Sequence, residues 1–142
     1  MAVESRADAT WNGELASGNG TVVPASGAFP ELPLTWRNRA ESRENGTSPE
    51  ELIAAAHAGC FSMALSFGLA QGGHAPERLQ TSARVGFQPG EGITGIRLSV
   101  RGRVPGLDQA GFKEAAEAAK ANCPVSQALK GVEITLEEAT LE

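Results

Sequence analysis

"TSPEELIAAAHAGCFSMALSFGLAQGG", residues 47–73, decides how the rest of the chain is read. Ser48 stands where an N-cap belongs, Pro49 fills the first helical position, and Glu51 follows three residues after the cap, the pattern of a capping box. The spacing predicts a helix from there to about Ala70, stopped at Gly72-Gly73. Such a helix is apolar around most of its surface, which places it in the centre of an assembly. Its alanines and Gly59 carry little bulk, so another backbone can approach closely.

Working outward, residues 3–13 and 20–24 read as short strands joined by the turn Ser17-Gly18-Asn19-Gly20. A Pro/Gly-rich passage follows, then a third strand over Leu34 to Arg39 and a polar loop over Ala40 to Thr47. Beyond the long helix, Leu79 to Gln88 and Ile93 to Val104 form a hairpin around Pro89-Gly90-Glu91-Gly92. Within it Ile96, Leu98 and Val100 alternate with Arg97, Ser99 and Arg101, one face buried and one wet. Asp108 caps a second helix, "QAGFKEAAEAAKAN". Cys123-Pro124 breaks it and opens a short third helix, "PVSQALK", which ends at Gly131; Val132 to Leu136 is a closing strand. Strands, a long helix, a hairpin, helices and a strand make an α+β protein, and the chain of 142 residues has room for one domain, residues 1–142.

Hydrophobic residues are 41% of the chain, enough for a core, and the net charge is −5 with no basic stripe, which argues against nucleic acid as a partner. The long apolar stretch is interrupted by His57, Ser62 and Ser66, so no membrane partner is expected. Residues 1–8 include Glu4, Arg6 and Asp8 with no hydrophobic signal core, giving the expectation of a cytoplasmic protein. There is no P-loop lysine, no Gly-x-Gly-x-x-Gly after a strand and no Gly-x-Ser-x-Gly elbow. No cofactor is implied.

The chemistry rests on two cysteines, Cys60 and Cys123, which in a reducing compartment seldom form a permanent disulfide. They read either as buried free thiols or as a transient redox pair. Cys123 lies at the start of a helix whose amide groups and dipole favour its thiolate. Cys60 lies in mid-helix, where burial without a cation raises its pKa; if it reacts, something positive must come to it. Arg37 and Arg39, on the preceding strand or loop, are the candidates upstream in sequence. Glu50 lies ten residues before Cys60 on the same helix, about 15 Å along it, too far for contact. An arginine at Cys60 could instead be held by Glu50 of a second chain lying antiparallel; the plainer reading of Glu50 is a first-turn carboxylate facing the helix dipole.

"GTSPEELIAAAHAGCFSMALS" together with "NCPVSQALK" closely resembles the OsmC/Ohr family, the osmotically inducible and organic hydroperoxide resistance proteins. The likeness runs from Trp11-Asn12-Gly13 to "EITLE". The histidine before the cysteine and the "SMALS" after it resemble the OsmC branch. The resemblance implies a thiol peroxidase acting on organic hydroperoxides and also on hydrogen peroxide, in protection against oxidative or osmotic stress. It implies Cys60 as peroxidatic thiol, Cys123 as resolving thiol, Arg39 as activating arginine, with Arg37 as its alternative, and Glu50 as the carboxylate that orients the arginine. It also implies an OsmC-like fold, an intertwined homodimer with long central helices packed against antiparallel sheets, and an external dithiol reductant such as a lipoylated protein. The residue types suit the reaction: a thiolate attacks the O–O bond, a guanidinium stabilises the developing charge, and the second thiol closes a disulfide. Phe61 and Met63 would offer an apolar lining, or are ordinary core. By the helix dipole Cys123 is the more acidic thiol; first attack by Cys60 is implied by the resemblance.

Two rival readings remain. His57 and Cys60 share a helix face and, with His74 and Cys123, count four metal ligands, although their spacing resembles no compact zinc module. A non-catalytic dimeric binding module with inert cysteines is the other.

Overall fold

In the computed structural model, which describes residues 1–42 and 45–142, the chain forms two units, Met1–Leu52 and Ile53–Glu142. The first is built on an antiparallel sheet of β1 (Ala7–Asn12), β2 (Asn19–Pro24) and β3 (Leu32–Leu34) in that order. Asn19 and Gly20 belong to β2, where the sequence suggests a turn; the chain reverses over the residues before them, helped by Gly13 at φ 88°. Gly20 pairs with Trp11 and has no room for a Cβ, because the indole and the Thr10 carbonyl oxygen occupy that place.

Leu34 to Arg39 is not a strand. Only Leu34 of that segment belongs to a strand, β3, and Trp36–Ala40 is a helical turn, α1. The cause is local: Thr35 is an N-cap whose hydroxyl accepts from the Asn38 N–H at 3.1 Å. Of the polar loop expected over residues 40–47, residues 43 and 44 lie outside the described residues. The far end of that loop returns to β3: the Thr47 N–H donates to the Pro33 carbonyl at 3.0 Å, and Leu34 and Thr47 form a parallel bridge. Gly46 is required there, since a Cβ would strike the Pro33 carbonyl and the Asn38 amide. Helix α2 (Pro49–Gln71) then begins, with Ser48 Oγ accepting from the Glu51 N–H at 3.1 Å as the capping box predicts.

The second unit carries a sheet ordered β4 (Arg78–Gln88), β5 (Gly92–Arg103), β6 (Ile134–Leu141). β4 and β5 are the expected antiparallel hairpin; β6 lies parallel to β5. The closing strand is longer than its apolar pattern suggests, because a register shift between Leu98 and Ser99 skips Glu137. The bulge lets Glu137 and Glu138 both face solvent while Ala139 and Leu141 regain the inner face. Between β5 and β6 run α3 (Gln109–Asn122), capped by Asp108, and the short α4 (Pro124–Ala128), which ends two residues sooner than the sequence suggests. Phe112, Ala116 and Ala119 turn the buried stripe of α3 into the core, and Gly102 leaves the space that the Phe112 ring fills.

α2 contributes His57, Phe61, Leu65 and Leu69 to this core, one face at intervals of four residues. Its opposite face is apolar and open: Met63 is 75% exposed and Phe67 68%, with Gly59 in the same row. By length and composition this helix is apolar enough to cross a membrane, with a mean hydropathy of 1.6.

Candidate active site

Two clusters carry the residues that the sequence singles out, one in each unit. In the first unit α1 presents Arg39 and the first turn of α2 presents Glu50, and the two form a forked ion pair. Arg39 Nε donates to Glu50 Oε1 and Oε2 at 3.1 and 3.2 Å, and Nη2 donates to Oε2 at 2.9 Å. The Glu50 side chain is fully buried, while a third of the Arg39 side chain reaches solvent. Planar guanidinium against planar carboxylate fixes the orientation of both groups. The pairing follows from the return of the chain to β3: Thr47 is pinned to Pro33, Ser48 starts the helix, and Glu50 turns inward. Glu51 points the other way and accepts from the Thr47 hydroxyl at 2.7 Å. Glu50 pairs with Arg39 of its own chain, the two residues that the family resemblance joins, whereas a Glu50 of a second chain is the alternative the sequence leaves open for an arginine at Cys60. Arg37 pairs with Glu41 at 3.6 Å on the surface.

A cavity of about 260 Å³ opens beside Arg39, lined by Trp11, Leu15, Leu34, Thr35, Trp36 and Pro49. Both tryptophans of the chain face this one space. That pairing escapes sequence reading, since one sits on a strand and the other on a misassigned segment; their being the only two indoles is the one available signal.

In the second unit Cys60 and Cys123 are free thiols in contact, Cys123 Sγ donating to Cys60 Sγ at 2.9 Å. Cys123 is buried at the junction of α3 and α4, its N–H bound to the Ala119 carbonyl and its carbonyl to the Gln127 N–H, both helices thus fixing its backbone. Cys60 is partly exposed. Burial pushes the Cys60 thiol up first of all; the neighbouring Cys123 pushes the same way by hydrogen bonding and electrostatics, and the backbone N–H of Val125 pulls it down. The α4 amide that the sequence assigns to helping Cys123 is thus directed, at Val125, to Cys60.

His57 lies one helical turn from Cys60 and is fully buried; its Nε2 is 2.7 Å from Ser126 Oγ on α4. Burial holds its pKa below the ordinary 6.5. Sequence reading counts His57 as a metal ligand or, with a redox pair, as a residue of helix packing or one that supports the thiols from behind, and passes over Ser126. Among the described residues no three His, Cys, Asp or Glu side chains gather in a way that could hold a metal ion. Phe61, considered as substrate lining, is a core residue, and Met63 stands on the open face of α2.

The family model described as OsmC-like protein matches residues 42–137. The peroxiredoxin OsmC of Escherichia coli K12 is 44% identical over 140 residues, covering 96% of each chain. The organic hydroperoxide resistance protein of Xanthomonas axonopodis pv. citri is 32% identical over 119 residues, 82% of this chain and 84% of that one. Among solved structures, OhrB of Bacillus subtilis, an organic hydroperoxide resistance protein, superposes with a TM-score of 0.68 at 27% identity, covering 94% of this chain and 97% of the other. The OsmC-like protein of Mycoplasma pneumoniae, at 16% identity, shares the fold with a TM-score of 0.74 over both full lengths. With the family model spanning most of its length and a relative this similar from end to end, the chain belongs to the OsmC-like family.

Proposed function

We propose that this protein is a dithiol-dependent peroxidase that reduces organic hydroperoxides, and hydrogen peroxide besides, in defence against oxidative or osmotic stress. The observation that carries it is the contact between two free thiols, 2.9 Å apart, on elements far apart in sequence. A disulfide needs the sulfurs at about 2.05 Å, so bond formation asks for a movement of less than about 1 Å. The thiolate of Cys60 attacks the terminal peroxide oxygen; the O–O bond breaks, the alcohol leaves, and Cys60 is a sulfenic acid. The Cys123 sulfur then displaces the hydroxyl, which leaves as water with the thiol proton, and the Cys60–Cys123 disulfide forms. A dithiol such as a lipoylated protein returns it to two thiols by exchange.

Arg39 takes the part of the activating cation, favouring the Cys60 thiolate and stabilising charge on the departing oxygen, and Glu50 orients it. The forked ion pair supports this assignment over Arg37, which is spent on Glu41. The apolar cavity beside Arg39 suits an organic tail. The working unit is a homodimer in which the open apolar face of α2 is covered by a second copy, supported by the exposure of Met63 and Phe67. Residues 1–142 act as one OsmC-like domain, in the cytoplasm.

The test is peroxide consumption by Cys60→Ser and Cys123→Ser with tert-butyl hydroperoxide and a dithiol, with dimedone as trap. The first should not turn over even once. The second should consume one equivalent and carry the dimedone adduct on Cys60. A reversed pattern would exchange the two roles, and an inert wild type would overturn the peroxidase reading.

A further inference from the structure

His57 and Cys60 are three residues apart on α2, and Cys123 and Ser126 are three residues apart at the start of α4. They meet in two parallel rungs, Cys60 with Cys123 at 2.9 Å and His57 with Ser126 at 2.7 Å. The second rung is a costly way to fill a core. His57 is wholly buried, Ser126 is 5% exposed, and His57 Nδ1 has no hydrogen-bond partner among the described residues. A leucine or phenylalanine would fill that volume without stranding a polar nitrogen. What the imidazole does provide is one directional bond to α4, a single helical step from the thiols.

We propose that His57 and Ser126 are positioning residues for the resolving step: their bond sets the rotation and approach of α4 on α2 and so holds the Cys123 sulfur against Cys60. α4 has five residues and Cys123 makes no side-chain cap bond to it, so the segment has little of its own to fix its angle. The rung acts on sulfenic acid plus thiol going to disulfide plus water, and on the disulfide equilibrium, because both depend on how often the sulfurs meet. It does not act on the attack of Cys60 on peroxide. This inference deepens the peroxidase reading, but its equilibrium part needs only the two cysteines.

The experiment compares wild type with Ser126→Ala and Ser126→Thr, and with His57→Leu and His57→Gln. Threonine keeps the hydroxyl, and the glutamine amide can reach the position of Nε2. First, the Cys60–Cys123 couple is titrated against a dithiothreitol buffer. Ser126→Ala should make the disulfide about tenfold less favoured, about 30 mV less negative, with Ser126→Thr returning toward wild type. Second, in single turnover with tert-butyl hydroperoxide, Ser126→Ala should leave the rate of Cys60 oxidation unchanged while dimedone-reactive sulfenic acid persists about tenfold longer.

Equal potentials and equal sulfenic acid lifetimes in wild type and Ser126→Ala would overturn the proposal. So would oxidation and resolution slowing together without rescue by threonine, which is the mark of a merely structural role. Should Ser126→Ala fail to fold, the leucine and glutamine variants of His57 put the same question. A wild type that ignores peroxide would remove the peroxidase reading alone, and the potentials would still decide the positioning role.

Discussion

Replacing Arg39 by methionine should destabilise the first unit by about 3 kcal/mol. The Glu50 carboxylate is fully buried and takes three hydrogen bonds from Arg39, at 3.1, 3.2 and 2.9 Å. Removing one partner of a buried ion pair costs about 3–5 kcal/mol, because the remaining charge is left without compensation. A third of the Arg39 side chain is already in water, so solvent can enter the gap, and the lower end applies. Three kcal/mol is a factor of about 150 in the folding equilibrium. In urea, with a slope of about 2 kcal/mol per molar, the midpoint should fall by about 1.5 M.

Both tryptophans, Trp11 and Trp36, belong to the first unit, so their fluorescence reports the part of the chain where the pair lies. The second arm is Arg39→Met with Glu50→Leu. Two apolar side chains of similar volume leave no charge stranded, so stability should return to within about 1 kcal/mol of wild type. On the role proposed for Arg39, peroxidase activity should not return. A double variant as unstable as Arg39→Met would show that the buried charge is not what the single substitution exposes. A double variant with restored turnover would show that Arg39 takes no part in the chemistry.

Cys123→Ala removes the neighbour that raises Cys60 by hydrogen bond and charge, while burial remains; Cys60 should therefore be alkylated by iodoacetamide at lower pH than in wild type, and an unmoved pH profile would refute it. His57 is held neutral below its ordinary 6.5, so the unfolded chain takes up a proton first as pH falls; stability is full above pH 6.5 and drops below it, by up to about 1.4 kcal/mol per pH unit. His57→Gln should flatten urea midpoints between pH 6.5 and 5, and a slope as steep as wild type would count against it. Met63→Glu lies on the open face of α2 and should leave the fold of one chain within about 0.5 kcal/mol while abolishing the proposed dimer in sedimentation; a wild-type monomer would refute the dimer, and a variant dimer of undiminished affinity would place the contact elsewhere. Phe61→Ala empties a fully buried site and should cost about 3–5 kcal/mol, read by thermal unfolding; a loss under 1 kcal/mol would mean the core had collapsed to fill it.

What the sequence makes legible is whatever the chain signals within a turn of itself. Ser48 with Glu51 and Asp108 with Gly111 announce α2 and α3 because capping is a bond between residues three apart. The β4–β5 hairpin shows in its alternation. Thr35 carries the same kind of signal for α1, but the five-residue helix it starts is too short for a helical period to repeat, so the strand pattern of its neighbours prevails. The closing strand is cut short in the reading because the bulge at Glu137 shifts its alternation by one residue, and only the pairing with β5 reveals that the pattern resumes.

The chemistry is harder to see for the same reason. A forked bond between Arg39 and Glu50 depends on Gly46 fitting against Pro33, a contact with no periodicity, and distance along the chain misleads about which carboxylate an arginine will meet. The cysteines draw attention by their element; Ser126 does not, since a serine in the first turn of a helix is ordinary. Its place is visible only in the second unit's packing, where a hydroxyl bonded to a buried imidazole stands three residues from a thiol already touching its partner. Residue type marks the atoms that react, but the groups that hold those atoms in place are chosen by position, and position belongs to the folded chain.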